Sequence, residues 1–143
     1  MATFLYRLAG KPEVTPPRNE PFGDVEKGDA GYRAIIWAQR EGIVRGYGDG
    51  TFRPAQKVTR EEAAVMLYRY AGSPAYPSPT KPPYPDVEPG ARNATEIAWL
   101  KARGIATTWE DGTFRPTVAL TRASAASFLY RTDAVQHVAF REG

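Results

Sequence analysis

The sequence predicts a mainly α-helical fold of tandem helix-loop-helix repeats that share one helical bundle. Three observations predict it. The chain repeats itself at an offset of 62 residues, so that Leu5, Leu67 and Leu129 occupy one repeat position. An amphipathic helix pattern recurs around that position, and a glycine follows the other predicted helix of each complete repeat. Because one repeat alone is near the size at which a core is marginal, neighbouring repeats should share a core.

The offset also gives the domain organisation. The chain opens on the closing helix of a partial first repeat and continues with two complete repeats. Proline-rich linkers separate them, and such segments favour an extended backbone. Their equal length suggests that they span a fixed distance along the outside of the bundle. The predicted segments are the first closing helix at 1–10, linkers at 11–21 and 73–83, complete repeats at 22–72 and 84–133, and a C-terminal tail at 134–143.

The first helix of a complete repeat is predicted at about 29–41. It carries Trp37 beside its apolar positions, as the next repeat carries Trp99. Gly42 and Gly104 should end these helices in the left-handed conformation, with the following isoleucine folded back on the last turn.

A loop of sequence Asp-Gly-Thr-Phe-Arg-Pro follows at residues 49–54 and again at 111–116. The Asp-Gly pair predicts a tight turn, and the proline should keep the preceding arginine, Arg53 or Arg115, extended. Each arginine either pairs with the aspartate of its own loop or joins an anion site. The loop lacks the alternating oxygen ligands of a calcium-binding EF-hand, so we interpret it as a turn.

The second helix of each repeat should begin at a threonine. Thr59 can cap this helix, and Glu62 completes a capping box. The apolar positions then follow at helical spacing, which predicts a buried stripe in all three copies. The residues expected to meet in one core are Leu5, Leu67 and Leu129, with Phe4, Met66 and Phe128.

Composition excludes several functional classes. The formal charge of +3 is mild and the basic residues are scattered, which gives a nucleic-acid interface little support. There is no cysteine, the single histidine is His137 in the predicted tail, and no serine lies in a nucleophile motif, so we expect no catalysis, no metal and no cofactor.

No apolar run is long enough to span a bilayer, which argues against membrane insertion. Residues 1–8 are too short for a signal peptide, so any export signal should lie upstream.

The motifs in register resemble the S-layer homology family, in the variety common in high-GC Gram-positive bacteria. The matching elements are the Phe22-Gly23-Asp24-Val25 and Tyr84-Pro85-Asp86-Val87 openings, the helices that carry Trp37 and Trp99 and end in Gly-Ile, the two hexapeptide loops, and the pairs Thr59-Arg60 and Thr121-Arg122. The resemblance covers about nine tenths of the chain.

This resemblance implies a non-catalytic module that binds a cell-wall glycopolymer, often one bearing pyruvylated amino sugars. Three repeats of the family form a pseudo-threefold bundle with ligand in the grooves between them. The arginine associated with binding carries over to Arg60 and Arg122. A guanidinium at a helix start offers a planar fork to a carboxylate, so truncating Arg60 should remove binding and leave the fold intact.

Other residues are weighed for ligand contact beside these two arginines. Tyr47 and Trp109 lie in loops, where their rings could stack on a sugar. Trp37 and Trp99 lie next to core positions and are better explained as core. Structural roles in capping a turn or orienting an arginine also suit the two aspartates better than direct binding. The remaining candidates are Asp24, Asp86, Arg53 and Arg115.

Departures from the family pattern keep alternatives open. Ser124 replaces the glutamate of the capping box, Glu110 places a negative charge near one supposed anion site, and the first repeat lacks its first helix. The protein is therefore expected outside the cell, at the cell wall or S-layer, or else in a virion as a structural or assembly subunit. A third reading is the anchor of an exported enzyme. The incomplete repeat predicts either self-association, pairing with another subunit of this kind, or capping by the tail through Val135, Val138 and Phe140.

Overall fold

A computed structural model describes residues 1–142 of the chain, with side chains up to Gln136. Among the described residues the regular structure is helical, with two isolated β-bridges and no strand. This confirms the predicted mainly α-helical class. The helices are α1 (Ala2–Leu8), α2 (Tyr32–Arg40), α3 (Arg60–Tyr70), α4 (Ala94–Ala102) and α5 (Arg122–Glu142).

The chain forms two compact units. Unit 1 is Met1–Gln56 with α1 and α2, and unit 2 begins at Lys57 and holds the other three helices. Each unit contains the same helix pair, because the closing helix of one repeat packs on the first helix of the next: α1 on α2, and α3 on α4.

An aromatic contact is repeated within these pairs. The ring centroids of Tyr6 and Trp37 lie 5.7 Å apart in unit 1, and those of Tyr68 and Trp99 lie 5.5 Å apart in unit 2. Both tryptophans are buried, as a core role requires. The 62-residue repeat of the sequence is therefore also a repeat of packing. The predicted pseudo-threefold bundle stays a prediction.

The first helices end as their glycines predict. Gly42 has a φ of 74°, and its N–H donates to the Gln39 carbonyl at 3.1 Å. The Ile43 N–H donates to the Ala38 carbonyl at 2.8 Å, which completes the two bonds of a Schellman motif. The same pair of bonds occurs at Gly104.

The closing helices begin at the predicted threonines. Thr59 caps α3 through a complete capping box, in which Glu62 accepts from the Thr59 N–H at 3.1 Å. At α5 the Ser124 N–H donates to the Thr121 hydroxyl at 3.1 Å, so half of this arrangement remains without the glutamate.

Burial of the predicted core residues is confirmed in part, and their meeting in one shared core stays a prediction. Leu5 and Leu67 are fully buried, as is Phe128, and Met66 is buried as well. The prediction was wrong for Phe4, which is 44% exposed. The apolar stripe of α1 is therefore buried at Leu5 and exposed to solvent at Phe4. Leu129 is half-buried.

One local prediction was wrong. Arg53 and Arg115 are not extended: their φ values are 60° and 57°, in the left-handed region. The helix α5 continues through the segment that the sequence assigns to the C-terminal tail, as far as Glu142, and the predicted domain bounds stay predictions. The predictions made for the side chains of His137, Val138 and Phe140 lie outside the described side chains.

The linkers begin without regular secondary structure at 11–17 and 73–79. A tyrosine from the preceding helix fixes each start. The Tyr6 hydroxyl donates to the Pro12 carbonyl at 2.7 Å, and the Tyr68 hydroxyl donates to the Pro74 carbonyl.

Candidate functional site

An aspartate from the opening of each repeat holds the hexapeptide loop. The carboxylate of Asp24 accepts from the backbone N–H groups of Phe52 and Arg53, both at 2.8 Å. Asp86 holds the loop of unit 2 in the same way, at 2.9 and 2.7 Å. Two successive N–H groups that point at one anion need an unusual backbone, which explains the positive φ of Arg53. The hydrogen bond from Phe52 lowers the pKa of Asp24.

Within the loop of unit 1, a second aspartate closes the turn. Asp49 accepts from the Thr51 N–H at 3.1 Å and from its hydroxyl at 2.6 Å, and the hydroxyl bond lowers the pKa of Asp49. Its other oxygen lies 3.3 Å from a terminal nitrogen of Arg53, with the two side chains 55% and 43% exposed. Asp111 and Arg115 form the same pair at 3.4 Å in unit 2. Each loop arginine therefore already has an acidic partner.

The loop aromatics lie beneath these arginines. The guanidinium carbon of Arg53 is 3.8 Å from the Tyr47 ring centroid, and that of Arg115 is 4.2 Å from the Trp109 centroid. Tyr47 and Trp109 are half-buried. The prediction that both rings lie in loops is confirmed, and part of each ring is covered by the guanidinium of the loop arginine.

Arg60 is buried, contrary to the open helix-start arginine of the sequence interpretation. Its side chain is 2% exposed. Its guanidinium carbon lies 4.6 Å from the ring centroid of Trp109, 4.7 Å from that of Phe114 and 5.2 Å from that of Phe128. The guanidinium donates to the Phe114 carbonyl at 2.7 Å and to the Thr107 carbonyl. Burial lowers its pKa. These contacts make Arg60 a link between α3 and the loop of the next repeat.

The remaining predicted site residues differ in their exposure to solvent. Arg122, the repeat equivalent of Arg60, is exposed at the start of α5. Trp37 and Trp99 lie in the core, and the Trp99 indole nitrogen is buried without a hydrogen-bond partner among the described residues. The structure thus brings Arg60, Trp109 and Arg115 together and keeps Trp37 and Trp99 away from solvent.

Sequence reasoning missed a basic groove between α1 and the start of α2. It is an open groove of about 480 Å³ in unit 1. Arg7, Lys11 and Arg33 line it together with Asp29, so its charged side chains carry three positive charges and one negative charge. A signal was present, because the Leu-Tyr-Arg triplet that contains Arg7 recurs in all three repeats.

Neither a metal site nor a membrane-spanning helix is found in the part of the chain that the structure describes. No group of three or more His, Cys, Asp or Glu side chains there could hold a metal ion. None of the described helices is both long and apolar enough to cross a membrane.

Comparison with known proteins gives several relatives. "Cell surface glycoprotein 1" of Acetivibrio thermocellus is 34% identical over 93 residues, which are 64% of this chain and 4% of that protein. "Cellulosome-anchoring protein" of the same organism is 28% identical over 136 residues, 92% of this chain and 30% of that protein. "Outer membrane protein SlpA" of Thermus thermophilus is 40% identical over 48 residues, 34% of this chain and 5% of that protein.

This chain thus spans less than a third of each of these relatives. The family model of the S-layer homology domain matches residues 21–64 and 83–126, which together are more than half of the chain. The two matches coincide with the repeated helix, loop and Thr-Arg motifs described above. The protein therefore belongs to the S-layer homology domain family.

Proposed function

We propose that the protein is a non-catalytic module that holds its attached partner at a bacterial surface by binding an anionic cell-wall glycopolymer. Family membership is the observation that carries this proposal. The names of its relatives, a cell surface glycoprotein and a cellulosome-anchoring protein, support it. A pyruvylated sugar as the anionic group, and an actinobacterial source, remain predictions within it.

The basic groove of unit 1 is the proposed polymer site. Arg7, Lys11 and Arg33 are all exposed, so a polymer can reach them without a change in the fold. Carboxylates of a sugar ketal would pair with these cations, and the one acidic side chain of the lining leaves a net charge of +2. Tyr6 also lines the groove and is half-buried, so part of its ring is open to a sugar.

Unit 2 has a weaker version of this surface. By the 62-residue offset, Lys11 is replaced by Ser73 and Arg33 by Thr95. The backbone is the same at the first of these positions, with φ of 52° at Lys11 and 49° at Ser73. The two replacements remove two positive charges. At the first position the backbone conformation is kept, because unit 2 already carries serine there with nearly the same φ. We therefore assign the stronger polymer contact to unit 1.

The other residues assigned from sequence have supporting roles in this proposal. Arg115 and Trp109 present an exposed cation above an aromatic ring and form a secondary contact region. Arg60 acts indirectly, because its guanidinium fixes the Trp109 ring. Asp24 and Asp86 hold the loop backbones. Direct polymer contact by Arg60, Arg122 or the aspartates stays a prediction.

Co-sedimentation with cell-wall sacculi of the source organism tests the function. Native sacculi are compared with sacculi stripped of their secondary polymer by acid. We expect the protein to pellet with native sacculi only, and less at high salt because the contact is ionic. Equal pelleting with both preparations, or none with either, contradicts the proposal.

A matched pair of variants tests the site. Lys11→Ser/Arg33→Thr gives the groove of unit 1 the residues of unit 2 at these two positions, and it should weaken binding roughly tenfold or more. Arg18→Ala removes an exposed cation of unit 1 outside the groove and should bind as the parent does. Equal affinity of the two variants contradicts the groove assignment and leaves the function itself standing.

A further inference from the structure

The turn that ends α1 holds Lys11 in a conformation that lysine rarely adopts. Its φ is 52°, in the left-handed region, directly after Gly10 at 87°. Glycine takes this conformation without steric cost, whereas the Cβ of a lysine crowds the neighbouring backbone and makes it unfavourable. Such a conformation persists only where other contacts compensate for it, and conformations of this kind are concentrated at functional sites.

Tyr6 supplies two of the hydrogen bonds that hold this turn. The Lys11 N–H donates to the Tyr6 carbonyl at 3.0 Å, and the Tyr6 hydroxyl donates to the Pro12 carbonyl at 2.7 Å. The Gly10 N–H donates to the Arg7 carbonyl at 3.0 Å. Tyr6 therefore binds the N–H of Lys11 through its backbone and the carbonyl of the next residue through its side chain.

The ring of Tyr6 is placed by the second helix of unit 1. Its centroid lies 5.7 Å from that of Trp37, which is buried in α2. Trp37 follows Arg33 by four residues, which is about one helical turn. The packing of Tyr6 on α2 therefore sets where the turn lies relative to the helix that carries Arg33. Both Lys11 and Arg33 line the basic groove.

The side chain of Lys11 does not account for its backbone conformation by any contact inside the protein. Within the part of the chain that the structure describes, Lys11 forms no ion pair, and it is exposed. The conformation does fix the direction of its Cα–Cβ bond. A change of φ from 52° to the ordinary helical value of about −63° would turn this bond away from its present direction relative to α1.

We propose that Tyr6 is a positioning residue for polymer binding. Its hydroxyl holds Lys11 in the left-handed conformation, and this conformation keeps the Lys11 ammonium in the groove with Arg33. The role rests on the proposed function of the groove, so two experiments are needed, one with polymer and one without.

The experiment without polymer observes the backbone of Lys11 directly. A residue with positive φ gives a strong NOE between its own amide and α protons, because these protons lie closer together than at negative φ. Tyr6→Phe removes only the hydroxyl oxygen and keeps the ring on Trp37. In ¹⁵N-labelled protein this NOE of Lys11 should be strong in the parent chain and clearly weaker in Tyr6→Phe. An unchanged NOE overturns the proposal.

The experiment with polymer is a double-mutant cycle of Tyr6→Phe and Lys11→Ser. Affinity is measured by calorimetry for soluble oligosaccharides released from the wall polymer. Tyr6→Phe should weaken binding roughly three- to tenfold in the parent chain. In the Lys11→Ser background the same change should have no further effect, because the cation that Tyr6 positions is already absent.

Unit 2 provides the matched control. The Tyr68 hydroxyl donates to the Pro74 carbonyl as that of Tyr6 does to Pro12, but the residue held beside it is the uncharged Ser73, with φ of 49°. Tyr68→Phe should therefore lower the urea midpoint about as much as Tyr6→Phe does, while its affinity for the oligosaccharides stays that of the parent chain.

The outcomes separate this role from the function itself. A parent chain that binds no oligosaccharide contradicts the proposed function, and the NOE of Lys11 then decides the positioning role alone. If the parent chain binds, three results overturn the positioning role: an unchanged affinity of Tyr6→Phe, an equal loss of affinity with and without Lys11, which indicates direct contact of the hydroxyl with the polymer, or an equal loss in Tyr68→Phe, which indicates a general loosening of the fold.

Discussion

Arg60 shows how one side chain can serve the fold rather than the surface. A buried cation is costly unless its N–H groups find acceptors, and here two carbonyls and three aromatic rings surround it. Its burial contradicts the expectation that truncation would leave the fold intact. The sequence could not reveal this, because the acceptors at Thr107 and Phe114 lie about fifty residues away.

Arg60→Ala should destabilise the protein by about 2 to 5 kcal/mol, because it leaves two buried carbonyls without donors and opens a cavity. Arg122→Ala alters the equivalent but exposed position and should change stability by less than about 0.5 kcal/mol. Urea unfolding of both variants measures the difference. Similar small losses for both would contradict the buried cage.

Asp24 should make the stability of the folded protein depend on pH, and the direction of this dependence follows from its lowered pKa. Its pKa is lowered in the folded chain by the Phe52 N–H, so its contribution is present above the ordinary aspartate pKa of about 3.9 and is lost as pH falls through the lower folded value. The urea midpoint should therefore drop from about pH 4 downward. Asp24→Asn should be less stable at pH 7 and should show a shallower drop; an unchanged drop would mean that other groups cause it.

At the scale of elements, the sequence predicted what depends on near neighbours. The capping box of α3 and the Schellman ends of the first helices each need residues within one turn, and both occur as predicted. The left-handed Arg53 and Arg115 were missed because a distant carboxylate sets their backbone. The preference of a residue before proline for extended structure is overridden by two hydrogen bonds to one anion.

Gly46 and Gly48 form a matched pair in the loop of unit 1. Gly46 has a φ of 75°, and an added Cβ would lie 2.4 Å from the Phe22 ring and 2.8 Å from the Thr51 carbonyl oxygen. Gly46→Ala should cost about 2 to 4 kcal/mol from overpacking and backbone strain. Nothing lies within 4 Å of a Cβ at Gly48, so Gly48→Ala should cost less than about 0.5 kcal/mol. Equal thermal midpoints would refute this placement of the Phe22 ring.

The closing helices offer a second pair. Leu67 is fully buried, and Leu67→Ala should cost about 2 to 5 kcal/mol. Leu129 occupies the same repeat position but is half-buried, so its truncation should cost clearly less. Guanidinium unfolding of the two variants provides the comparison. Equal losses would show that α5 is as fully packed as α3.

At the scale of the whole molecule, the 62-residue period carried most of the prediction. It located the helices, the loops and the family before any coordinates, because one supersecondary unit recurs without insertion. It did not reveal the basic groove, because two of its three cations, Lys11 and Arg33, lie at positions where the two repeats differ. A comparison of the repeats singles out only the third cation, Arg7.

The central claim is that an anionic wall polymer binds in this groove. The most direct measurement is an amide chemical-shift titration of the ¹⁵N-labelled protein with soluble oligosaccharides released from the wall polymer. The largest shifts should fall in residues 3–11 and 28–34 and should vanish in Lys11→Ser/Arg33→Thr. Shifts confined to the helix starts at Arg60 and Arg122, or no shifts at saturating oligosaccharide, would contradict the claim.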